Sequence, residues 1–184
     1  MAESVTQLLD AVAAGRDDAR DCIFIALMDE LRRCAHRQLG GGERTLSTTA
    51  LVNETYLKLV SAQSLKLESR QHFMALAARA MRQVLVDHAR AIGASKRGGA
   101  QLQVTLDNDL PDTPAEVIEV LALDQALGHL EQIDQRAARV VQLHFFAGLT
   151  FGAIGELEGL NERTIKRDWE AARRVLAANM GSAR

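Results

Sequence analysis

Apolar residues recur every three or four positions through most of this chain, and that spacing predicts amphipathic helices. The first is a short helix that Ser4 can cap and Gly15 ends. Its apolar face consists of Val5, Leu8, Leu9 and Val12. A second helix is predicted from about residue 17 to residue 39, where three consecutive glycines end it. Its expected buried positions are Cys22, Ile23, Ile25, Ala26, Leu27 and Leu31.

Two more helices are predicted before the middle of the chain, from about 48 to 60 and from about 71 to 91. The buried stripe of the third helix is predicted at Leu51, Val52, Thr55, Tyr56 and Leu59. The stripe of the fourth is predicted at Phe73, Leu76, Ala77, Ala80, Val84 and His88. The polar residues that fall largely outside this stripe are Arg79, Arg82, Gln83 and Arg90.

The stretch from 93 to 114 has a different character, with two glycine clusters, a polar run and the only two prolines of the chain. It predicts a flexible linker, in which Val104-Thr105-Leu106 is at most a brief extended piece. Helices follow at about 115–130, 134–145, 151–157 and 161–180. No segment keeps a two-residue alternation, so no sheet is expected. The predicted fold is all-α, with helical domains at 1–92 and 115–184 joined by the linker.

The last two predicted helices form a pair with a tight break at Glu158-Gly159-Leu160, and Asn161 is suited to cap the second of them. The apolar stripe of that helix is Ile165, Trp169, Ala172 and Leu176. The residues left on its outer face are Arg163, Thr164, Lys166 and Arg167, with Arg173 and Arg174 farther along. In a helix-turn-helix the front of the second helix enters the major groove, where arginine pairs with guanine and threonine contacts thymine methyls. An amphipathic hairpin with a solvated basic face remains the alternative.

Composition and charge narrow the possible functions. The 184 residues carry a formal net charge of -2, so any contact with nucleic acid should be local. Cys22 and Cys34 are too few for a disulfide framework, and Cys34-Ala-His36 is a poor zinc pattern, so we predict neither metal nor cofactor. The chain has no glycine-rich phosphate loop and no nucleophile elbow, so we predict no enzyme. We expect a cytoplasmic protein without membrane contact, because no signal peptide or apolar span is present.

Three segments in order resemble the small two-domain sigma factors of bacterial RNA polymerase, the extracytoplasmic-function (ECF) type. They are "TALVNETYLKL", "HFMALAARAMRQVLVDHARAIGASKRGG" and "LTFGAIGELEGLNERTIKRDWEAARRVL". The resemblance covers nearly the whole chain outside the linker. It implies a protein that binds core RNA polymerase, at the clamp of the largest subunit, and directs promoter-specific transcription initiation.

The resemblance also implies a role for each segment. Contact with core polymerase would come from Leu51, Asn53, Glu54 and Lys58. The minus-ten promoter element would be met by Ser69, Arg70, His72, Arg79, Arg82 and Arg90. The minus-thirty-five element would be read by Arg163, Thr164, Lys166, Arg167, Arg173 and Arg174. Relatives often place an aromatic residue near Leu67, where an unstacked base is captured, and this chain does not.

The chain also departs from the family just before the clamp-binding helix. Many relatives have several acidic residues there, whereas this sequence has Ser47-Thr48-Thr49-Ala50. In one interpretation Ser47 or Thr48 caps the helix, and the apolar and polar remainder of the helix supplies the affinity for polymerase. In the other, a Ser/Thr kinase phosphorylates Ser47, Thr48 or Thr49, with Thr48 or Thr49 favoured, and restores negative charge at a helix start. An anti-sigma protein is a further possible partner.

A stand-alone helix-turn-helix regulator is the main alternative function. Its N-terminal part would serve dimerisation or ligand sensing, and it would bind a palindromic site tightly without polymerase. A purely protein-binding helical adaptor is also possible, but it leaves the basic face of the last helix unexplained.

Overall fold

The computed structural model describes residues 4–16, 18–40, 46–61, 67–98 and 114–181, and every regular element in these ranges is helical. The N-terminal half contains α1 (Val5–Ala13), α2 (Ala19–Ala26), α3 (Met28–Leu39), α4 (Thr48–Ser61) and α5 (Arg70–Gly98). The C-terminal half contains α6 (Pro114–Ile133), α7 (Gln135–Val141), a π-helical segment (Gln142–Phe146), α8 (Phe151–Glu158) and α9 (Glu162–Gly181). The all-α prediction is confirmed over these residues.

The predicted helix from 17 to 39 is interrupted at Leu27, which leaves helical geometry between α2 and α3. Ile23, Leu27 and Leu31 are buried as predicted. The expectation that Ile25 and Ala26 are buried is wrong, since Ile25 is 69% exposed and Ala26 is exposed too. Ile25 lies two residues from Ile23, which places it about 200° around the helix, on the opposite face.

Helix α5 is buried on two sides. One side packs against α3 and α4, and the other against α6 and the π-helical segment. The sequence predicted the first stripe, whereas Met74, Ala78 and Met81 are buried as well. Ala75 of α5 even joins a cluster with Val140, Leu143, Ile154 and Ile165 of the C-terminal half. The two halves therefore pack together around a continuous core.

Two predictions concern the segment between the halves. α5 continues to Gly98, past Gly93, where the sequence predicted the linker to begin. The predicted extended piece Val104-Thr105-Leu106 lies outside the described residues.

Side-chain caps fix the starts of several helices. Ser4 and Gln7 form a reciprocal capping box on α1, as the sequence suggested for Ser4. Asp134 and Thr150 cap α7 and α8 through their side-chain oxygens. Within the described ranges, no helix combines the length and the apolar character needed to cross a bilayer.

Candidate nucleic-acid interface

Helices α8 and α9 form a tight helix-turn-helix. α8 ends at Gly159, whose φ of 67° is a left-handed conformation that favours glycine. Asn161 then caps α9, because its Oδ1 accepts hydrogen bonds from the Thr164 backbone N–H at 2.8 Å and from the Thr164 hydroxyl at 3.0 Å. A Cβ added to Gly155 would lie 2.6 Å from the carbonyl oxygen of Leu160. The turn thus depends on two glycines and one capping amide.

The inner face of α9 is the apolar stripe that the spacing predicted. Ile165 and Ala172 are fully buried, and Trp169 is half-buried between the two hydrophobic clusters. The Trp169 ring meets the His144 ring edge-on, with centroids 4.7 Å apart. The His144 ring in turn stacks on Phe151 at 4.1 Å. These contacts set the rotation of α9 about its axis.

With that rotation fixed, the outer face of α9 is basic. Arg163, Lys166 and Arg167 are exposed, and Thr164 is half-buried. Lys166 pairs with Glu162 at 2.5 Å one turn away, whereas Arg163 has no ionic partner in the described part of the chain. Farther along the helix, the exposed arginines are Arg173 and Arg174. The front of α9 can therefore offer cationic donors to a groove.

Asp168 is acidic but does not belong to this outer face. Its side chain is only 6% exposed, and its carboxylate accepts two hydrogen bonds from Arg136 of α7, at 2.6 Å and 3.0 Å. The hydrogen bond to Asp168 raises the pKa of the Arg136 guanidinium. Asp168 lies three residues after Ile165 and four before Ala172, so the helical spacing alone places it on the buried side. The sequence reasoning missed this signal.

The residues predicted at the start of α5 have structural partners. Ser69 caps α5, its hydroxyl accepting the His72 backbone N–H at 3.0 Å. The His72 imidazole accepts the Glu68 backbone N–H at 3.4 Å. Arg70 pairs with Glu30 of α3 at 2.7 Å. Of these four polar residues beside Leu67, only Arg70 and Glu68 are exposed.

The arginines along α5 differ in their surroundings. Arg79 is exposed to solvent. Arg82 donates to Asp124 of α6 at 2.6 Å and to the Gln142 side-chain oxygen at 3.4 Å. Arg90 reaches the other oxygen of Asp124 at 3.5 Å. Two of the four arginines predicted to meet the minus-ten element thus share one carboxylate from the C-terminal half.

Helix α4 presents a mixed polar and apolar surface. Asn53 and Glu54 are exposed, and Lys58 pairs with Asp87 of α5 at 2.9 Å. That lysine hydrogen bond lowers the pKa of Asp87. Leu51 is fully buried, so its side chain belongs to the core and offers no surface to a partner. The sequence reasoning did not identify Leu57, which is 59% exposed and extends this surface.

The three hydroxyls before and within the first turn of α4 are not equivalent. Ser47 caps the helix, because its Oγ accepts the Ala50 backbone N–H at 3.1 Å. Thr48 is half-buried and Thr49 is exposed. Only the Thr49 hydroxyl is both exposed and free of a capping role.

In the described ranges, no three His, Cys, Asp or Glu side chains are grouped so that they could hold a metal ion. Both cysteines are free thiols, and burial raises the pKa of Cys34.

Comparison with known proteins assigns the family. A family model described as ECF sigma factor matches residues 2–182. No curated protein and no solved structure matches the chain. Sigma factors of this family bind core RNA polymerase and promoter DNA, which agrees with a basic helix-turn-helix behind a helical N-terminal half. Because the match covers almost the whole chain, this protein belongs to the ECF sigma factor family and directs transcription initiation.

Proposed function

We propose that the protein divides promoter recognition between its two halves, as domains 1–92 and 115–184 joined by the segment 93–114. α9 reads the minus-thirty-five element, α5 meets the minus-ten element, and α4 binds the polymerase clamp. The observation that carries this proposal is the rotation of α9. Ile165, Trp169 and Ala172 face the core, so Arg163 and Arg167 face outward.

For the minus-thirty-five element, the front of α9 supports direct readout of bases. Arg163, Lys166 and Arg167 project from its first two turns and can donate to guanine edges in a major groove. Thr164 already holds the Asn161 cap, so its methyl group is the part available to a thymine. Arg173 and Arg174 lie two turns farther along and are suited to phosphates.

For the minus-ten element, α5 supplies a row of arginines. Arg79, Arg82 and Arg90 would meet backbone phosphates, which position the protein without reading sequence. Ser69, Arg70 and His72 would lie beside the opened strand. Since Ser69 and His72 also shape the start of α5, their substitution would affect the helix as well as the DNA.

For the polymerase clamp, α4 would use Asn53, Glu54 and Lys58 together with the exposed Leu57. Its first turn lacks the acidic residues of many relatives. We propose that a Ser/Thr kinase supplies the missing charge at Thr49, because Ser47 is occupied as the cap and Thr48 is half-buried. A phosphate there adds about -1.5 to -2 charges at a helix start, where anions are favoured.

Reconstitution tests the proposal. Purified chain is mixed with core RNA polymerase and fragmented genomic DNA, and the 5′ ends of the transcripts are mapped. We expect transcripts that require the chain and share upstream sequence elements at a fixed distance from the start. Tight binding to a palindromic site without polymerase, with no change in transcription, would instead identify a stand-alone regulator.

A further inference from the structure

A cavity of about 330 Å³ lies between α3, the start of α5 and the turn that precedes α8. Its volume falls at the lower end of the range for small-molecule sites, so it has room for a small organic molecule. The charged side chains of its lining are Glu30, Arg33, Arg37 and Arg70. We call this space the α3–α8 cavity.

The charges around the α3–α8 cavity do not cancel. Glu30 and Arg70 form one ion pair, at 2.7 Å. Arg33 and Arg37 are exposed and have no carboxylate partner in the part of the chain that the structure describes. They lie one helical turn apart on α3, where two like charges repel each other. The cavity therefore carries two positive charges that an anion would neutralise.

Arg37 is oriented by the turn before α8. Its Nη2 donates to the Ala147 carbonyl oxygen at 3.0 Å. Gly148 makes room for the guanidinium, because a Cβ at that position would collide with it. The φ of Gly148 is 74°, in the left-handed region that favours glycine. Since Ala147 uses one of the five N–H donors of Arg37, the others remain for a ligand, and their orientation is fixed before it binds.

Uncharged residues complete the lining of the cavity. Met74 of α5, with Leu149 and Ala153, forms an apolar part. Gln71 and Thr150 are polar, and Thr150 keeps its O–H donor, because its oxygen accepts the Ala153 backbone N–H. An apolar wall with a few polar groups is typical of sites that bind organic molecules.

The two unpaired arginines select the kind of anion. A phosphate monoester carries about -1.5 to -2 charges at pH 7 and three acceptor oxygens, which matches two guanidinium groups. A phosphodiester carries a single charge and matches them less well. We propose that the α3–α8 cavity binds a small phosphorylated organic molecule, whose monoester phosphate pairs with Arg33 and Arg37. Its organic part packs on Met74 and Leu149.

Calorimetric titration of the whole chain tests this site, with phenyl phosphate as the probe. The probe has a monoester phosphate and an apolar ring, so it meets both parts of the cavity. We expect it to bind and to raise the melting temperature, because it binds the folded protein only. Inorganic phosphate should bind more weakly, since it has no apolar part to bury. No heat and no change in melting temperature at millimolar phenyl phosphate would overturn the proposal.

Two further probes test the class of ligand. Methyl phenyl phosphate is a diester with one charge and should bind about tenfold more weakly than phenyl phosphate. A capped phosphothreonine tripeptide should also bind more weakly, because a cavity of this size leaves its backbone outside. Equal affinity for the diester would overturn the assignment to monoesters, and tighter binding of the peptide would overturn the assignment to a small molecule.

Substitutions in the lining should act in opposite directions. Arg33→Gln and Arg37→Gln should each weaken phenyl phosphate binding about tenfold, as for the loss of one charge-assisted contact. Glu30→Gln removes a carboxylate that repels the phosphate and frees Arg70, so it should tighten binding. A general loss of structure would not tighten binding. Arg32→Gln is the matched control, because Arg32 is an exposed arginine of the same helix outside the lining.

Folding and the place of binding are checked separately. Far-ultraviolet circular dichroism and a cooperative thermal transition show that each variant is folded. Equal weakening in Arg32→Gln and Arg33→Gln would overturn the site, because the probe would then respond only to the overall charge of α3. Hydrogen exchange with bound phenyl phosphate should show protection in α3, the start of α5 and residues 147–153. Protection confined to α9 would place the probe on the outer basic face of that helix and would also overturn the proposal.

Discussion

Arg136 of α7 and Asp168 of α9 are joined by two parallel hydrogen bonds, of 2.6 Å and 3.0 Å. The pair lies on the inner side of α9, next to Ile165 and Ala172, and connects α9 to α7 of the same half. Because the Asp168 carboxylate is almost fully buried, water cannot stabilise its negative charge, and the Arg136 guanidinium does so instead. The pair thus helps to decide which face of α9 is outward.

The first prediction concerns this pair. Asp168→Ala should lower the melting temperature by on the order of 5 °C and weaken promoter binding, since α9 loses an anchor. Arg136→Gln should act in the same direction, because it leaves a buried carboxylate unpaired. Differential scanning calorimetry of both single variants and the double variant measures the coupling.

Arg139 of the same helix supplies the control, since its carboxylate partner Glu158 is more exposed than Asp168. Arg139→Gln should cost clearly less stability. Equal losses in Arg136→Gln and Arg139→Gln, with no coupling between Arg136 and Asp168, would contradict the role given to this pair.

The second prediction concerns the turn of the helix-turn-helix. Gly155→Ala should destabilise the protein by about 1–3 kcal/mol, because the new methyl group would meet the Leu160 carbonyl oxygen. Gly152→Ala in the same helix is the matched control, because its Cβ would meet nothing closer than 3.7 Å. That variant should be neutral or more stable by roughly 0.5–1 kcal/mol. Urea unfolding of the two variants compares them, and equal effects would refute the close-packing argument.

The third prediction concerns Asp87 and pH. The Lys58 hydrogen bond lowers the pKa of Asp87 in the folded protein, so its contribution is present above the ordinary value of about 3.9. The contribution is lost as pH falls through the lower folded pKa. At pH 7, Asp87→Asn should therefore be less stable than wild type, by at most about 0.5 kcal/mol for an exposed pair. The difference in free energy of unfolding between the two proteins should shrink in strong acid and in high salt. Urea unfolding measures this difference, and a value that does not change with pH would count against a stabilising pair of Lys58 and Asp87.

The fourth prediction concerns the first turn of α4. Thr49→Asp should raise the affinity for core polymerase, and Thr49→Ala should resemble the unphosphorylated protein. Phosphorylation itself should have the larger effect, about tenfold or more, since it adds up to two charges and three acceptor oxygens. Thr6→Ala, at an exposed position on α1, is the control. Full transcriptional activity of Thr49→Ala in cells would exclude the switch.

The sequence predicted the helices and the inner face of α9 well, because both follow from local periodicity. The spacing of Ile165, Trp169 and Ala172 is enough to orient that helix before any tertiary contact is known. The Asn161 cap and the ends of α8 and α9 could also be predicted, because they depend on residues that are close together in the sequence.

The surroundings of α5 could not be predicted in the same way. Arg82 lies outside the stripe that faces α3 and α4, yet it is half-buried, because α6 and the π-helical segment cover a second side of the helix. Which residue of the C-terminal half meets it depends on packing between segments far apart in the chain. Nothing in the sequence around Asp124 indicates that its carboxylate pairs with Arg82. Leu51 was assigned both to the buried stripe of its helix and to polymerase contact, and the structure places its side chain in the core.

The outward face of α9 is the central claim, and transcription by reconstituted holoenzyme tests it most directly. Arg163→Ala/Arg167→Ala should reduce run-off transcript by tenfold or more from a promoter with a minus-thirty-five element, at about 1–3 kcal/mol per lost base contact. Arg32→Ala, an exposed arginine on α3, should transcribe like wild type. Undiminished transcription by the double α9 variant, with folding and polymerase binding intact, would contradict the account.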